Sequence, residues 1–478
     1  MIVGKLGFGK DDFYYGLELS LHKSGYTAYA VTTATVGACD VLLVTMFWWR
    51  DIYNLEAFLR DSGIRRGTGK PWIIAGGMEA TMTPEIIAPM VDAVFVGDAD
   101  DHLGPILDGI AAGGKPESQY LYRDGDAHPP VPAECAPSAY VMHKGGARDV
   151  GRIEIARGCR FRCGFCALTG LKSYREVPFA DVEPMLEKLR GKPVSLFAPE
   201  RVVHRDWPKY QDAIERFNLK DHGQDVRIEG LHKIKSSSAT FGLEGISFKL
   251  RKVAGKAWKQ DYVLDRIRQF VEGGQELGRH IAYLSAYFIA DLPGEDATDW
   301  REIWELFAAM EKAEWSRRLT FKPILNPFSP KPFTPLQGRI VHPFRPYETV
   351  WHNLLRKGGN AQWGMRIVET LVWGPFERVM DAIATNGKRD GYEVVRRIPV
   401  RLLRGKPPKS GNAAAARELL RCARKFGLSD ERLRIDCDPA IPASAPETEH
   451  EVAKAAADTM IQLQREVPGL EFAHAQSR

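Results

Sequence analysis

Hydrophobic positions fall into two series of short apolar runs divided by longer amphipathic stretches. The first series occupies residues 1–115, with runs at Met1–Val3, Tyr26–Val31, Val41–Val44, Trp72–Ala75 and Ala93–Val96. Helical patterns such as Tyr53–Asp61 and Pro84–Met90 lie between them. Apolar runs without alternation, spaced by helices, predict a parallel sheet covered on both faces. A Gly-, Pro- and polar-rich stretch follows, and residues 116–150 read as a linker.

The second series spans residues 151–342, with strands expected at Arg152–Ala156, Val194–Ala198, Val226–Glu229, Ala239–Leu243, Ala282–Ile289 and Leu319–Ile324. Helices such as Val182–Leu189 and Asp261–Glu272 separate them, so six βα units predict an incomplete (β/α)6 barrel. Residues 343–440 read as a mainly helical, basic C-terminal region. Residues 441–478 read as a Pro/Ala-rich tail carrying one amphipathic helix near Glu449–Arg465.

Composition limits the function classes. With 44% hydrophobic and 27% charged residues, the 478-residue chain can fill more than one core. A formal net charge of +5 permits an anionic partner without demanding one. No run of about 18 apolar residues and no cleavable leader pattern occurs, which predicts a cytoplasmic protein without a membrane partner. In that compartment thiols stay reduced, so the 7 cysteines are not expected to form a disulfide framework. Cys39, Cys135, Cys422 and Cys437 are scattered and read as free thiols.

The other three are clustered. Cys159, Cys163 and Cys166 form CxxxCxxC directly after the first strand of the second series. Three thiolates on one loop can hold three irons of a 4Fe–4S cluster, leaving one iron open to a small molecule. The next cysteine, Cys422, lies 256 residues beyond Cys166. Zinc is the rival, but a structural zinc site closes with four ligands, usually in pairs.

This loop, with Phe165 before its last cysteine, resembles the signature of the radical S-adenosylmethionine (SAM) superfamily. The segments Phe241–Ser247 with Leu250–Lys252 and Lys256, Tyr287–Glu295, and Ser329–Gln337 are similar to motifs of the radical SAM proteins that carry an N-terminal cobalamin-binding-like domain. Ile74–Ala80 and Val96–Asp100 are similar to motifs of that flavodoxin-like domain itself. The resemblance implies a radical SAM barrel behind an open α/β domain. It implies an enzyme in which one electron, from a donor such as flavodoxin or ferredoxin, releases a 5′-deoxyadenosyl radical from SAM. Carried onto this sequence, it offers Phe165, Glu200, Arg227, Glu229, Glu244, Ile289 and Asp291 as cofactor-binding residues. Phe165 is placed for stacking on adenine, Glu200 for the SAM amino group, and Arg227 and Glu229 for ribose or carboxylate. Glu244 is the strongest acidic candidate, because no basic neighbour is evident beside it. Asp291 stands where relatives usually carry glycine.

Cobalamin is disfavoured. Relatives often supply a histidine from DxHxxG after the first strand, whereas residues 6–12 here contain none, and Asp100–Gly104 is one residue short and reads as a loop. An iron–sulfur site in this domain would need three cysteines, and only Cys39 and Cys135 are available.

Residues 388–409 carry eight basic side chains, Lys388, Arg389, Arg396, Arg397, Arg401, Arg404, Lys406 and Lys409, against only Asp390 and Glu393. Trp351, Trp363, Trp373 and Phe376 precede them. Basic groups beside aromatics suit phosphate binding and base stacking, which points to a nucleic acid. With it, the resemblance implies modification of a base or base substituent, by isomerisation or carbon–carbon bond formation. The alternatives are a cobalamin-dependent methyltransferase acting on a small molecule or peptide, and a non-enzymatic metal-binding module.

Overall fold

The computed structural model describes residues 1–8, 15–137, 139, 141–143, 150–221, 225–234, 236–276, 278, 280–345, 347–356, 363–368, 373–399 and 412–437. The expected helix near 449–465 lies outside them, as do Arg401, Arg404, Lys406 and Lys409. The chain forms two compact units, each discontinuous in sequence.

The first unit comprises Met1–Ala136, Pro330–Gly338 and Pro375–Asp436. Its strands are β1 (Val3–Leu6), β2 (Ala28–Ala30), β3 (Val41–Thr45), β4 (Trp72–Gly76), β5 (Ala93–Phe95) and β6 (Leu121–Tyr122). They lie in the order β2-β1-β3-β4-β5-β6, with only β6 antiparallel to its neighbour. The parallel part has the 2-1-3-4-5 order of flavodoxin-like folds, whose ligand crevice lies where the order reverses, between β1 and β3. Register places Val3 opposite Val41, and Val41 opposite Trp72. Val3, Val41, Leu43, Ile74, Ala93 and Phe95 pack with Leu103, Ile106 and Leu107 of the helix Leu103–Ala111 to form its core.

The expected boundary at residue 115 falls instead at Ala136, and the region read as 343–440 does not stand alone. The helices Pro375–Asn386, Lys388–Val395 and Asn412–Lys425 complete the first unit. The physical reason is a buried polar knot. In the turn Pro330–Gly338, Thr334 Oγ1 donates to the Lys331 carbonyl at 2.8 Å, and Phe333 N donates to Gln337 Oε1 at 2.8 Å. This turn holds the Lys331 ammonium 2.8 Å from Asp381 Oδ1, with Thr385 Oγ1 at 3.4 Å. The same charge acts on Glu79, which is fully buried, and the Tyr53 hydroxyl donates to the Met380 carbonyl at 2.7 Å.

The second unit comprises Pro137–Ser329 and Arg339–Gly374, with Cys437. Its strands are β7 (Val141–His143), β8 (Gly151–Glu154), β9 (Ala156–Arg157), β10 (Arg175–Glu176), β11 (Pro193–Phe197), β12 (Lys220–Asp221), β13 (Asp225–Val226), β14 (Ser238–Gly245), β15 (Ala282–Ala290), β16 (Leu319–Pro327) and β17 (Arg366–Ile367). One sheet runs β12-β11-β8-β7 and another β13-β14-β15-β16-β17, while β9 and β10 form an antiparallel pair. All neighbours in the two larger sheets are parallel except β7 with β8. The βα series β8, β11, β12/β13, β14, β15 and β16 is the expected six-strand arrangement. Its third member is short: Val226 ends β13, and Ile228–Lys233 turns as a 3-10 helix where a strand to Glu229 was expected. Ile153, Val182, Leu186, Val194, Leu196 and Tyr210 fill one core cluster of this unit.

Candidate active site

The cysteine loop leaves β9 through Gly158, whose φ of +74° and close surroundings leave no alternative residue. A Cβ there would stand 2.1 Å from the Ser173 carbonyl oxygen. Cys166 N donates to the Cys163 carbonyl at 3.2 Å, and Gly164 N donates to the Ala254 carbonyl at 3.1 Å. The loop is thereby folded on itself and tied to the turn after the helix Phe248–Val253.

Burial pushes the Cys159 thiol up, and it pushes Cys166 up to about 11. The other thiols of the trio and Glu200 or Glu244 add to these displacements, so all three sulfurs share one small region. No group of three His, Cys, Asp or Glu among the described residues is spaced for a single metal ion. Three thiolates on one loop suit a multi-iron cluster, whose thiolates attach to separate irons.

Arg227 follows β13 and is fixed from several directions. Its guanidinium lies 3.8 Å from the Phe161 ring centroid and 4.9 Å from that of Trp258. Nη1 donates to Cys163 Sγ at 3.5 Å, and Nη2 to Glu229 Oε1 at 3.1 Å. Trp258 Nε1 also donates to Glu229 Oε1, at 3.0 Å. Arg227 Nε and Glu229 Oε2 are buried without a protein partner among the described residues. Buried polar atoms left unpaired next to the cysteines are what a ligand-binding pocket presents. Here the residues fit a cluster with SAM beside it, and that pair supplies reductive cleavage of a sulfonium carbon–sulfur bond.

Glu200 caps the 3-10 turn Arg201–Val203. Its carboxylate accepts from Val202 N at 3.4 Å and from Arg227 N. Burial raises its carboxyl to about 7, against those two amides. Glu244 occupies an irregularity in β14, where the register with β15 shifts between Gly242 and Glu244. Its φ of +66° turns the carboxylate onto Lys256, with Nζ 2.8 Å from Oε1. The expectation of no basic neighbour is therefore corrected: Lys256 is that neighbour, and it also donates to the Gly242 carbonyl at 2.9 Å. The Glu244 carboxylate lies over Gly242, where a Cβ would stand 2.0 Å from Oε1 and push the Glu244–Lys256 pair aside. Lys256 lies 5.7 Å from the Phe165 ring centroid, placing Phe165 over the same pair.

Ile289 is buried in β15 opposite Gly245, one residue beyond Glu244. Asp291, directly after β15, is held by the segment after β16. Its Oδ1 accepts from His342 Nδ1 and the Tyr347 hydroxyl, both at 2.7 Å, and from Arg345 at 3.3 Å. Its backbone N–H donates to Glu295 at 2.7 Å. Burial and the Asp291 charge hold Glu295 up at about 8. Arg160 of the cysteine loop donates to Glu176 at 3.0 Å. Burial works against Glu176, yet hydrogen bonds from Arg205 and Tyr174 hold it down at about 2.

The structure thus gathers Cys159, Cys163, Cys166, Phe165, Glu200, Arg227, Glu229 and Glu244, and it adds Phe161, Lys256 and Trp258. Lys256 carried a motif signal without a role, while Phe161 and Trp258 carried none. Two aromatics expected beside the basic stretch are core residues instead. Trp351 packs on Phe288 and Phe307, with ring centroids 5.6 and 6.3 Å away, and Trp363 lies 5.1 Å from Trp304. Phe376 is buried in the first unit.

Among the described residues, no helix is long and apolar enough to cross a membrane. The family described as radical SAM proteins, N-terminal, matches residues 17–122. No curated protein matches the chain. The fold is similar to that of the cobalamin-dependent S-adenosylmethionine radical enzyme OxsB with aqua-cobalamin bound, at a TM-score of 0.50 and 12% identity, covering 98% of this chain and 80% of that one. The same enzyme with aqua-cobalamin and S-adenosylmethionine bound matches at 0.50 and 14% identity, with the same 98% and 80% coverage. Residues 17–122 of a flavodoxin-like first unit thus match the N-terminal family of radical SAM proteins, and the chain, with its CxxxCxxC loop after β9, shares the fold of OxsB.

Proposed function

We propose that the chain modifies a base, or a base substituent, of a nucleic acid. One electron from a flavodoxin- or ferredoxin-type donor splits SAM into methionine and a 5′-deoxyadenosyl radical. That radical would take a hydrogen atom from the substrate to give 5′-deoxyadenosine; an isomerised substrate radical would regain that hydrogen atom from 5′-deoxyadenosine, whereas a carbon–carbon bond-forming one would end by losing a proton and returning one electron to the oxidised cluster. The observation carrying the substrate class is a groove of about 770 Å³ in the first unit, lined by Arg60, Arg65, Arg66, Arg396, Arg397 and Tyr392, with Glu56. Arg396 and Arg397 share one carboxylate, Glu393, at 2.8 and 2.6 Å. Arg60 pairs with Glu56 at 2.7 Å and Arg66 with Asp124 at 2.7 Å, while exposed Arg65 has no ion-pair partner among the described residues. Guanidinium groups in excess of carboxylates suit bidentate phosphate contacts, and the Tyr392 ring offers a stacking face in place of the tryptophans.

The triple variant R65A/R396A/R397A tests this by fluorescence anisotropy with labelled RNA and DNA over a salt series. Every arginine that no longer neutralises a phosphate should flatten the log–log salt slope by about 0.7–0.9. Iron content and uncoupled SAM cleavage should persist. Unchanged affinity and slope would remove the nucleic-acid reading. Mass spectrometry of nucleic acid digested after anaerobic incubation with SAM and reductant then identifies the modified base.

A second reading, cobalamin-dependent methyl transfer to a small molecule or peptide, is favoured by the 2-1-3-4-5 strand order and by the aqua-cobalamin in the OxsB structures. Phe47 and Trp48 are exposed directly after β3, at the reversal point. Of residues 6–12, in which a lower-face histidine was sought, 9–12 lie outside the described residues. His102 packs its ring on Tyr120, 4.5 Å between centroids. Cobalamin content after anaerobic reconstitution separates the two readings.

A further inference from the structure

We infer that Arg227 is a positioning residue that sets the reduction potential of the cluster through Cys163, with Glu229 as its counterweight. The guanidinium cannot swing away. The Phe161 and Trp258 rings enclose it at 3.8 and 4.9 Å, Glu229 holds Nη2 at 3.1 Å, and only 12% of the side chain is exposed. A planar cation stacked on aromatic faces presents its N–H groups in fixed directions, and here one points at Cys163 Sγ, 3.5 Å away.

Reduction adds one negative charge to the cluster. A cation and a hydrogen bond at a ligating sulfur both stabilise the more negative form, so both raise the potential. Glu229 opposes this. Its carboxylate takes the other terminal nitrogen of the guanidinium and is held there by Trp258 Nε1 at 3.0 Å, and its second oxygen is buried without a partner among the described residues. Arg227 and Glu229 therefore act on the cluster with opposite signs. This inference is independent of the substrate, since every group in it belongs to the second unit.

The test is potentiometric titration of the reconstituted holoenzyme, followed by electron paramagnetic resonance of the reduced cluster. Iron content and SAM affinity are measured alongside. R227Q should make reduction at least tenfold less favourable, about 59 mV lower for a one-electron couple. R227K keeps the charge but loses the stacked plane and should recover part of that change. E229Q removes the counterweight and should move the potential upward. If R227Q takes up no iron, the sign of the E229Q change decides. An unchanged potential in an iron-replete R227Q protein overturns the inference. So does loss of SAM affinity at unchanged potential, which would make Arg227 a substrate clamp. An E229Q potential that stays put or falls overturns it equally.

Discussion

Glu79 puts a pH-dependent weakness in the core of the first unit. Three charged side chains meet there: Lys331 faces Asp381 at 2.8 Å, and Glu79 is the second carboxylate near one ammonium. Burial raises the Glu79 carboxyl from its ordinary 4.5 to about 7, although Lys331 pulls it down. An acid whose folded pKa exceeds its unfolded one contributes stability that is whole below about 4.5 and is lost as pH rises through about 7. At 1.36 kcal/mol per pH unit, the displacement corresponds to about 3 kcal/mol. Gln in place of Glu79 keeps the shape and an acceptor for the Thr83 hydroxyl, now 3.3 Å away, but never ionises. The advantage of E79Q over the parent should therefore be flat below about pH 4.5 and grow by about 3 kcal/mol toward pH 8. Pulse-labelled hydrogen exchange across a urea series, with the pulse at one fixed pH, reads peptides from residues 41–95 and so isolates this unit. A pH-independent difference, or a growing disadvantage for E79Q, would refute the reasoning.

Replacing Cys159, Cys163 or Cys166 singly by Ala should abolish the bound iron, about four per chain in the reconstituted parent, whereas C39A and C135A should retain it, as iron assay and visible absorbance will show. G158A should keep its secondary structure by circular dichroism yet fail to assemble a full cluster, because the new Cβ meets the Ser173 carbonyl at 2.1 Å with φ at +74°; full iron loading in G158A would contradict this account of the loop.

Val41–Thr45 announces itself as an unbroken apolar run and Ala282–Ala290 as an alternation of buried and exposed positions ending in an apolar run, and both match the sequence reading to within a residue at each end. Ile228–Lys233 carries a glycine and three charged or imidazole side chains in six residues, with no two-residue alternation to distinguish a strand from a turn. The cysteine loop was legible because its chemistry is local. The setting of Glu244 was not, since its partner Lys256 reaches it only through a left-handed backbone at Glu244 and a helix turn between them. Arg227 gave still less notice: its two ring partners lie 66 residues before it and 31 after it in the chain. The Ser329–Gln337 motif was visible as a resemblance, but its work is to deliver Lys331 to a carboxylate 50 residues away in sequence.

The interleaving of the two units sets a timetable for synthesis. The sheet of the first unit is translated by residue 136, yet the segments that close its core end at Asp436. At about 5–20 residues per second, the missing 300 residues take roughly 15–60 s to emerge. Glu79 has no Lys331 until residue 331 is made, and Tyr53 has no Met380 carbonyl until the helix Pro375–Asn386 follows. Most of the second unit, Pro137–Ser329, emerges inside this window. The cysteine loop is therefore made while the core of the first unit is still incomplete.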